Sequence, residues 1–338
     1  MDFLIVGLGS MGKRRIRCLK ALGHEGIFGF DQREDRRSES RERYGIRTYS
    51  DISEALSEAK PSALIISVPP DIHHEYMKLA LSQGLHFFVE ASVVDTDMEA
   101  IIGTLKRSRV VGVPSATLLF HPAVQKIGEI LKSGVLGKLS NILFHSGQYL
   151  PDWHTYEKVS EYYVSNPLTG GAREIMPFEL TWFTRLFGFP SSVCGHVRRT
   201  ITIEGAERID DTYNALLDYG GFLASLTVDV VSRYATRRLL INGEEGQLIW
   251  DWNLKNVQIY NPRRSQWEVS TYEMMSAEAG YNPNIGENMY IEELRAFIEA
   301  VEVKKPFVNT LENDHRILKL LYAIEQADRR SGYVGFHP

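Results

Sequence analysis

The chain has 338 residues, of which 43% are hydrophobic, 11% aromatic and 24% charged; this balance excludes a disordered or collagen-like chain and leaves room for two domains with sizeable cores. With 38 basic against 43 acidic residues the formal charge is -5, so no cationic excess favours nucleic acid or an anionic membrane, and the expected partner is a small molecule. Two cysteines, Cys18 and Cys194, in no metal-ligand spacing argue against a disulfide framework or a zinc site and fit a reducing cytoplasm. No apolar stretch reaches the roughly 18 residues of a membrane span. The chain starts on a strand-like run, Phe3 to Val6, where a secretion signal would place basic and then apolar residues.

Up to about residue 120, short apolar runs alternate with stretches of helical period, the pattern of βαβ units around a parallel sheet. The runs are Phe3 to Val6, Ile27 to Phe30, Ala63 to Val68, Leu85 to Val89 and Val110 to Val113. Between them the spacing predicts helices over Met11 to Leu22 and Ile72 to Ser82. After His121-Pro122 the texture changes. A helix over Val124 to Leu131 precedes long strand-like segments: Leu139 to Tyr149, Tyr213 to Tyr219, Phe222 to Val231, Arg238 to Asn242 and Gln247 to Trp252. Gly220-Gly221 and Gly243 to Gly246 read as hairpin turns. A further helix is predicted over Arg173 to Phe187, and Asn261 to Gly286 reads as a loop or crossover. Helices over Asn288 to Val303 and Leu311 to Arg330 close the chain. The fold class is therefore α/β: an N-terminal Rossmann doubly wound parallel sheet in 1–120, then an α+β domain with a mostly antiparallel open sheet in 121–287. The helices of 288–330 could pack back on the first domain.

The strongest chemical signal is Gly7-Leu8-Gly9-Ser10-Met11-Gly12, a G-x-G-x-x-G between a strand and a helix. Its glycines permit a tight turn and close approach to a pyrophosphate, which the helix N-terminus attracts through free N–H groups and its dipole. Asp31 ends the next strand, near the roughly 20-residue spacing of a carboxylate that binds the adenosine ribose. A 2′-phosphate would be repelled there, so NAD is expected over NADP. Arg33, Arg36 and Arg37 lie just beyond and could offset that repulsion or form a solvated charged face.

Val68-Pro69-Pro70-Asp71-Ile72-His73, Phe87 to Glu90, Phe120-His121-Pro122, and Gly170-Gly171 ahead of Leu186-Phe187-Gly188 extend the pattern. With the glycine fingerprint, they make the chain resemble the glucose-fructose oxidoreductase, inositol dehydrogenase and MocA (Gfo/Idh/MocA) family over nearly its whole length. The resemblance implies a Rossmann domain, a second domain whose open sheet serves oligomer contacts, and hydride transfer at a nicotinamide, commonly on sugars or cyclitols. It also implies that Pro69, His73 and Glu90 border the nicotinamide. Two departures stand out. Glu90-Ala91-Ser92 replaces the usual Glu-Lys-Pro, removing the proton-transfer lysine, and the histidine of the helix after the double glycine is absent, with Phe178 or Glu179 in its place.

A proton acceptor is still required for alcohol oxidation. The segment from Tyr149 to Tyr156, with Tyr162-Tyr163 and Gly170 to Glu174, corresponds to the substrate side in the family. It is similar to relatives of sugar biosynthesis, which points to a sugar or sugar nucleotide. His154 is the leading candidate because imidazole titrates near neutrality; a structural hydrogen-bonding role competes. Glu174 could act as base, orient His154 or bind hydroxyls. Tyr163 could relay a proton. Arg173 could pair with a phosphate or carboxylate, or form a structural ion pair. Tyr149 and Trp153 offer apolar faces to a sugar ring, or core. His121 is read as fixing the domain junction. The expected protein is an NAD-dependent sugar oxidoreductase, without metal, as a homodimer or homotetramer. The rivals are an enzyme that cleaves glycosides or epimerises with no net redox change, and a dinucleotide-binding regulator without turnover.

Overall fold

The structure, a computed structural model, describes residues 1–154, 156–275 and 286–337. Thr155 and residues 276–285, which fall in the expected substrate-side segment and the expected crossover, lie outside the described residues. The chain divides into two compact units, residues 1–117 with 287–315, and residues 118–286 with 316–338.

The first unit carries β1 (Phe3–Val6), α1 (Ser10–Ala21), β2 (Ile27–Phe30), α2 (Glu34–Tyr44), β3 (Arg47–Tyr49), α3 (Ile52–Ala59) and β4 (Ala63–Ile66). It continues through α4 (His73–Gln83), β5 (His86–Val89), α5 (Met98–Leu105) and β6 (Gly112–Pro114). The sheet order is β3-β2-β1-β4-β5-β6, parallel throughout. Strands covered on both faces need apolar side chains at every position, and all four residues of β1 and of β4 are fully buried. The order reverses between β1 and β4, the switch point outside whose strand ends open α/β sheets bind ligands.

The second unit opens with α6 (Pro122–Ser133), which His121 caps by accepting from the Ala123 N–H through Nδ1 at 3.2 Å. There follow β7 (Leu139–Tyr149), α7 (Ala172–Phe187), β8 (Ser192–Arg198), β9 (Thr212–Asp218), β10 (Leu223–Asp229), β11 (Val231–Gly243), β12 (Gln247–Asp251), β13 (Asn256–Asn261) and β14 (Gln266–Thr271). In chain order α8 (Asn288–Glu302) and the start of α9 (Leu311–Arg330) then belong to the first unit, and the rest of α9 and β15 (Val334–Gly335) to the second. The second sheet runs β14-β13-β12-β11-β7-β10-β9-β8-β15, and only the pair β7 and β10 is parallel. Its core gathers Phe144, Trp182, Phe183 and Trp250, with Trp182 packed edge-on to Phe144 at 5.2 Å and to Trp250 at 5.8 Å between centroids.

Three expectations need correction. The polar stretch after Asn261 is not wholly a loop: Gln266–Thr271 pairs with β13 along the sheet edge, where most of its side chains are exposed and no apolar pattern is needed. The run Phe222 to Val231 is two strands, because Val230 leaves the ladder and donates to the Asp211 carbonyl at 2.9 Å. Of the two closing helices only α8 lies wholly in the first unit, since α9 passes to the second at residue 316.

Candidate active site

In the first unit the fingerprint turn is fixed by contacts that tolerate only glycine. A Cβ on Gly12 would stand 1.9 Å from the Gly7 carbonyl oxygen, and one on Gly7, whose φ is +93°, 2.6 Å from the Ser67 carbonyl oxygen beyond β4. At Gly9 a Cβ would meet only the Arg36 guanidinium, at 3.5 Å. Helix α1 starts at Ser10 with no side-chain cap and no acid in its first turn, which includes Met11. A bare helix start behind a glycine turn suits a pyrophosphate. Asp31 Oδ2 accepts from the Leu8 N–H at 2.8 Å and Oδ1 from the Arg33 N–H at 2.9 Å. Arg36 Nη1 lies 3.7 Å from Asp31 Oδ2, whereas Arg33 pairs with Asp35 and Arg37 with Glu34. The residues present thus fit a dinucleotide.

At the end of β4, Pro69 precedes a short 3-10 turn, Pro70–Ile72. Buried His73 donates from Nε2 to the Val68 carbonyl at 2.9 Å. Burial pushes its pKa down to about 4, so it is neutral and pins Val68 beside Gly7. Glu90 ends β5 facing inward: it accepts a bidentate pair from Arg15 at 2.7 and 2.8 Å and a bond from Ser67 Oγ at 3.2 Å. Arg15 also reaches fully buried Glu293 of α8 at 2.8 Å. Glu90 therefore positions the strand ends, and the residue that reading by motif passed over is Arg15. Its signal was present, because Arg15 falls on the apolar face of α1 that carries Met11, Cys18 and Leu19.

In the second unit the expected substrate-side residues separate into engaged and available groups. Arg173 is engaged and buried: its Nε donates to Glu325 at 2.7 Å and its Nη1 to the Leu168 carbonyl. Of the two partners weighed for Arg173, a ligand anion or a structural ion pair, the Glu325 contact is the second. His154 does not meet Glu174. Its Nδ1 bonds Glu157 at 2.8 Å, and its ring stacks on Tyr156 and Tyr162 at centroid distances of 5.0 and 4.6 Å. The Tyr149 ring, expected to face a sugar, is covered by the Arg233 guanidinium 3.9 Å from its centroid. Trp153 keeps an enclosed Nε1–H with no hydrogen-bond partner, as does the Tyr162 hydroxyl. Tyr163 Oη donates to Glu174 Oε1 at 2.6 Å. Glu179, which with Phe178 is one of the two residues weighed for the family histidine's place, is fully buried and accepts from Ser146, Arg237 and Trp182 at 2.7–2.8 Å. His121 stacks on Trp252 at 4.4 Å between centroids, and burial lowers its pKa to about 3, so its ring is neutral. Among the described residues no group of three His, Cys, Asp or Glu could hold a metal, and no helix is long and apolar enough to cross a membrane.

Two family models match the chain. One, described as an oxidoreductase family with an NAD-binding Rossmann fold, covers residues 1–107, and the other, the GFO/IDH/MocA C-terminal domain, covers residues 124–249. An uncharacterized oxidoreductase of Schizosaccharomyces pombe is 24% identical over 243 residues, 68% of this chain and 64% of that protein. The myo-inositol 2-dehydrogenase of Thermotoga maritima is 24% identical over 160 residues, 46% of this chain and 48% of that protein. The match thus spans less than two thirds of either curated relative. A levoglucosan dehydrogenase solved with NADH and levoglucosan superposes with a TM-score of 0.86 at 15% identity, over 100% of both chains, a likeness of fold.

Proposed function

We propose, given that this chain belongs to the Gfo/Idh/MocA family of NAD-binding oxidoreductases, that it moves a hydride between NAD and a hydroxyl or keto group of a sugar or related polyol. The observation that carries the reading is the switch point of the parallel sheet. There Gly7 and Gly12 leave room for backbone alone, helix α1 begins uncapped, and Asp31 is held at the end of β2 by the Leu8 and Arg33 amides. Asp31 favours NAD by repelling a 2′-phosphate, and Arg36 is the cation through which NADP would be admitted.

The substrate class draws support from levoglucosan and myo-inositol dehydrogenases among the similar proteins. It draws further support from Trp153, His154 and Tyr162, which offer aromatic faces and enclosed polar atoms suited to a polyol ring. With Arg173 committed to Glu325, a neutral sugar is favoured over a sugar nucleotide. Ala91 in place of the family lysine favours one second reading, a dinucleotide-binding protein without turnover.

The test is a fluorescence titration with NADH and NADPH, followed by NAD+ turnover on a panel of sugars and cyclitols. Tighter NADH binding and formation of NADH on at least one polyol are expected. Absence of binding to folded protein removes the oxidoreductase reading, binding without turnover selects the second reading, and sugar release without net NADH selects a glycoside-cleaving enzyme. Unpaired Cys18 and Cys194 support a reducing, cytoplasmic setting. A second copy of the chain is the proposed cover for one face of the second sheet, where Leu216, Leu143, Leu240, Ile249 and Val269 lie in one row across the strands. Light scattering should give a dimer or tetramer that Leu143→Arg dissociates, and a wild-type monomer would exclude it.

A further inference from the structure

We propose that Tyr163 exchanges the proton with the substrate and that Glu174 carries it onward, so that this pair does the work of the missing lysine and histidine. The proposal rests on the oxidoreductase reading above and names the proton path of that same site.

The pair is built by the backbone. Gly170 lies so close to the Val164 carbonyl that a Cβ would stand 1.9 Å from its oxygen, and Gly171, at φ +66°, lies against the Asp210 carbonyl. Ala172 N–H then donates to that Asp210 carbonyl at 3.1 Å, while Asn166 N–H and Thr169 Oγ1 hold the Tyr163 carbonyl at 3.0 and 3.3 Å. The double glycine therefore lays the segment bearing Tyr163 against the first turn of α7, where Glu174 sits. Their side chains meet at 2.6 Å.

Other groups of this unit are committed elsewhere: His154 to Glu157, His145 to Asp229, Arg173 to Glu325, and Glu179 to Arg237. Glu174 differs. The residue as a whole is only partly buried, but its Oε2 is closed off from solvent with no partner. Burial pushes its pKa up to about 8, opposed only by the Tyr163 hydrogen bond. The titratable groups facing it are Tyr163 and Tyr162, and burial with the charges of Glu174 and Glu157 raises the Tyr162 phenol. A carboxylate that titrates near neutrality both accepts and releases a proton readily.

In the oxidative direction NAD+, which Gly7 to Gly12 and Asp31 would hold, would supply the acceptor for the hydride of the carbinol carbon. The carbinol O–H breaks as its proton goes to Tyr163 Oη, and the phenol's own proton passes to Glu174 Oε1. The products are the ketone, NADH and a neutral Glu174, which returns the proton to water.

The experiment compares wild type, Tyr163→Phe and Glu174→Gln. In cofactor-free protein, the infrared band of a protonated carboxylic acid should titrate out near pH 8 in the wild type. It should be lost in Glu174→Gln and titrate at higher pH in Tyr163→Phe, where the opposing hydrogen bond is gone. On the polyol found in the screen, Tyr163→Phe should lower kcat by about 100-fold or more, with KM and NADH affinity within about threefold. Glu174→Gln should remove the inflection near pH 8 from the kcat profile. Both variants keeping wild-type kcat and profile, with NADH still bound, overturn the dyad and leave the oxidoreductase reading standing. A wild type that binds NADH yet turns over no polyol overturns both.

Discussion

Glu174 gives the structure a quantitative handle on stability. Its carboxyl titrates near 4.5 in an open chain and at about 8 in the fold. Between those values the native state holds a proton that the unfolded state has released, so wild-type stability falls as pH rises through that window. At about 1.4 kcal/mol for each pH unit of separation, the loss approaches about 5 kcal/mol by pH 8. Glutamine stays neutral at every pH. It leaves an enclosed amide donor unpaired, a cost of about 1–3 kcal/mol that does not vary with pH. Glu174→Gln should therefore gain about 3–5 kcal/mol on the wild type between pH 5 and pH 8. Urea unfolding followed by tryptophan fluorescence is the suitable assay, because Trp153, Trp182, Trp250, Trp252 and Trp267 all lie in the second unit. Stability curves that stay parallel across this range would refute the account of an enclosed, proton-holding carboxyl.

Gly12→Ala should abolish NADH binding measured by fluorescence, since its Cβ would collide with the Gly7 carbonyl at 1.9 Å; binding within threefold of wild type would contradict the cradle. Asp31→Ala removes the acceptor for the Leu8 and Arg33 amides and should weaken NADH about tenfold or more while narrowing the preference over NADPH. An unchanged preference would mean that Asp31 is not the ribose partner. Arg15→Leu leaves Glu293 buried without its cation and should cost about 3–5 kcal/mol in denaturant unfolding. A cost under about 1 kcal/mol would show that the network adds little.

What was legible in the sequence was chemistry carried by short, local patterns. The glycine fingerprint announces itself because its work is done by the backbone, and the central strands of both sheets because burial demands apolar runs. The pairing of His154 with Glu157 is local too, since the two stand only three residues apart. The partner of Arg173 has no such signature, since Glu325 lies 152 residues on and leaves no local trace. Strand β14 was hidden by the reverse effect: an exposed edge imposes no apolar period. Tyr163 and Glu174 were visible as residue types, but only the turn at Gly170-Gly171 shows that they are a pair.

The bond between Arg15 and Glu293 joins residues 278 positions apart. A ribosome that has delivered the whole parallel sheet has not yet delivered the carboxylate needed by the guanidinium in its first helix. At about 5–20 residues per second, the wait between residue 117 and Glu293 is on the order of ten to thirty seconds. During that time Arg15 has only Glu90 to neutralise it, and Phe88 lacks the ring of Phe297 that packs on it at 5.9 Å. A nascent chain should thus acquire its nucleotide-binding unit late, and residues 1–117 made alone should hold the sheet only loosely.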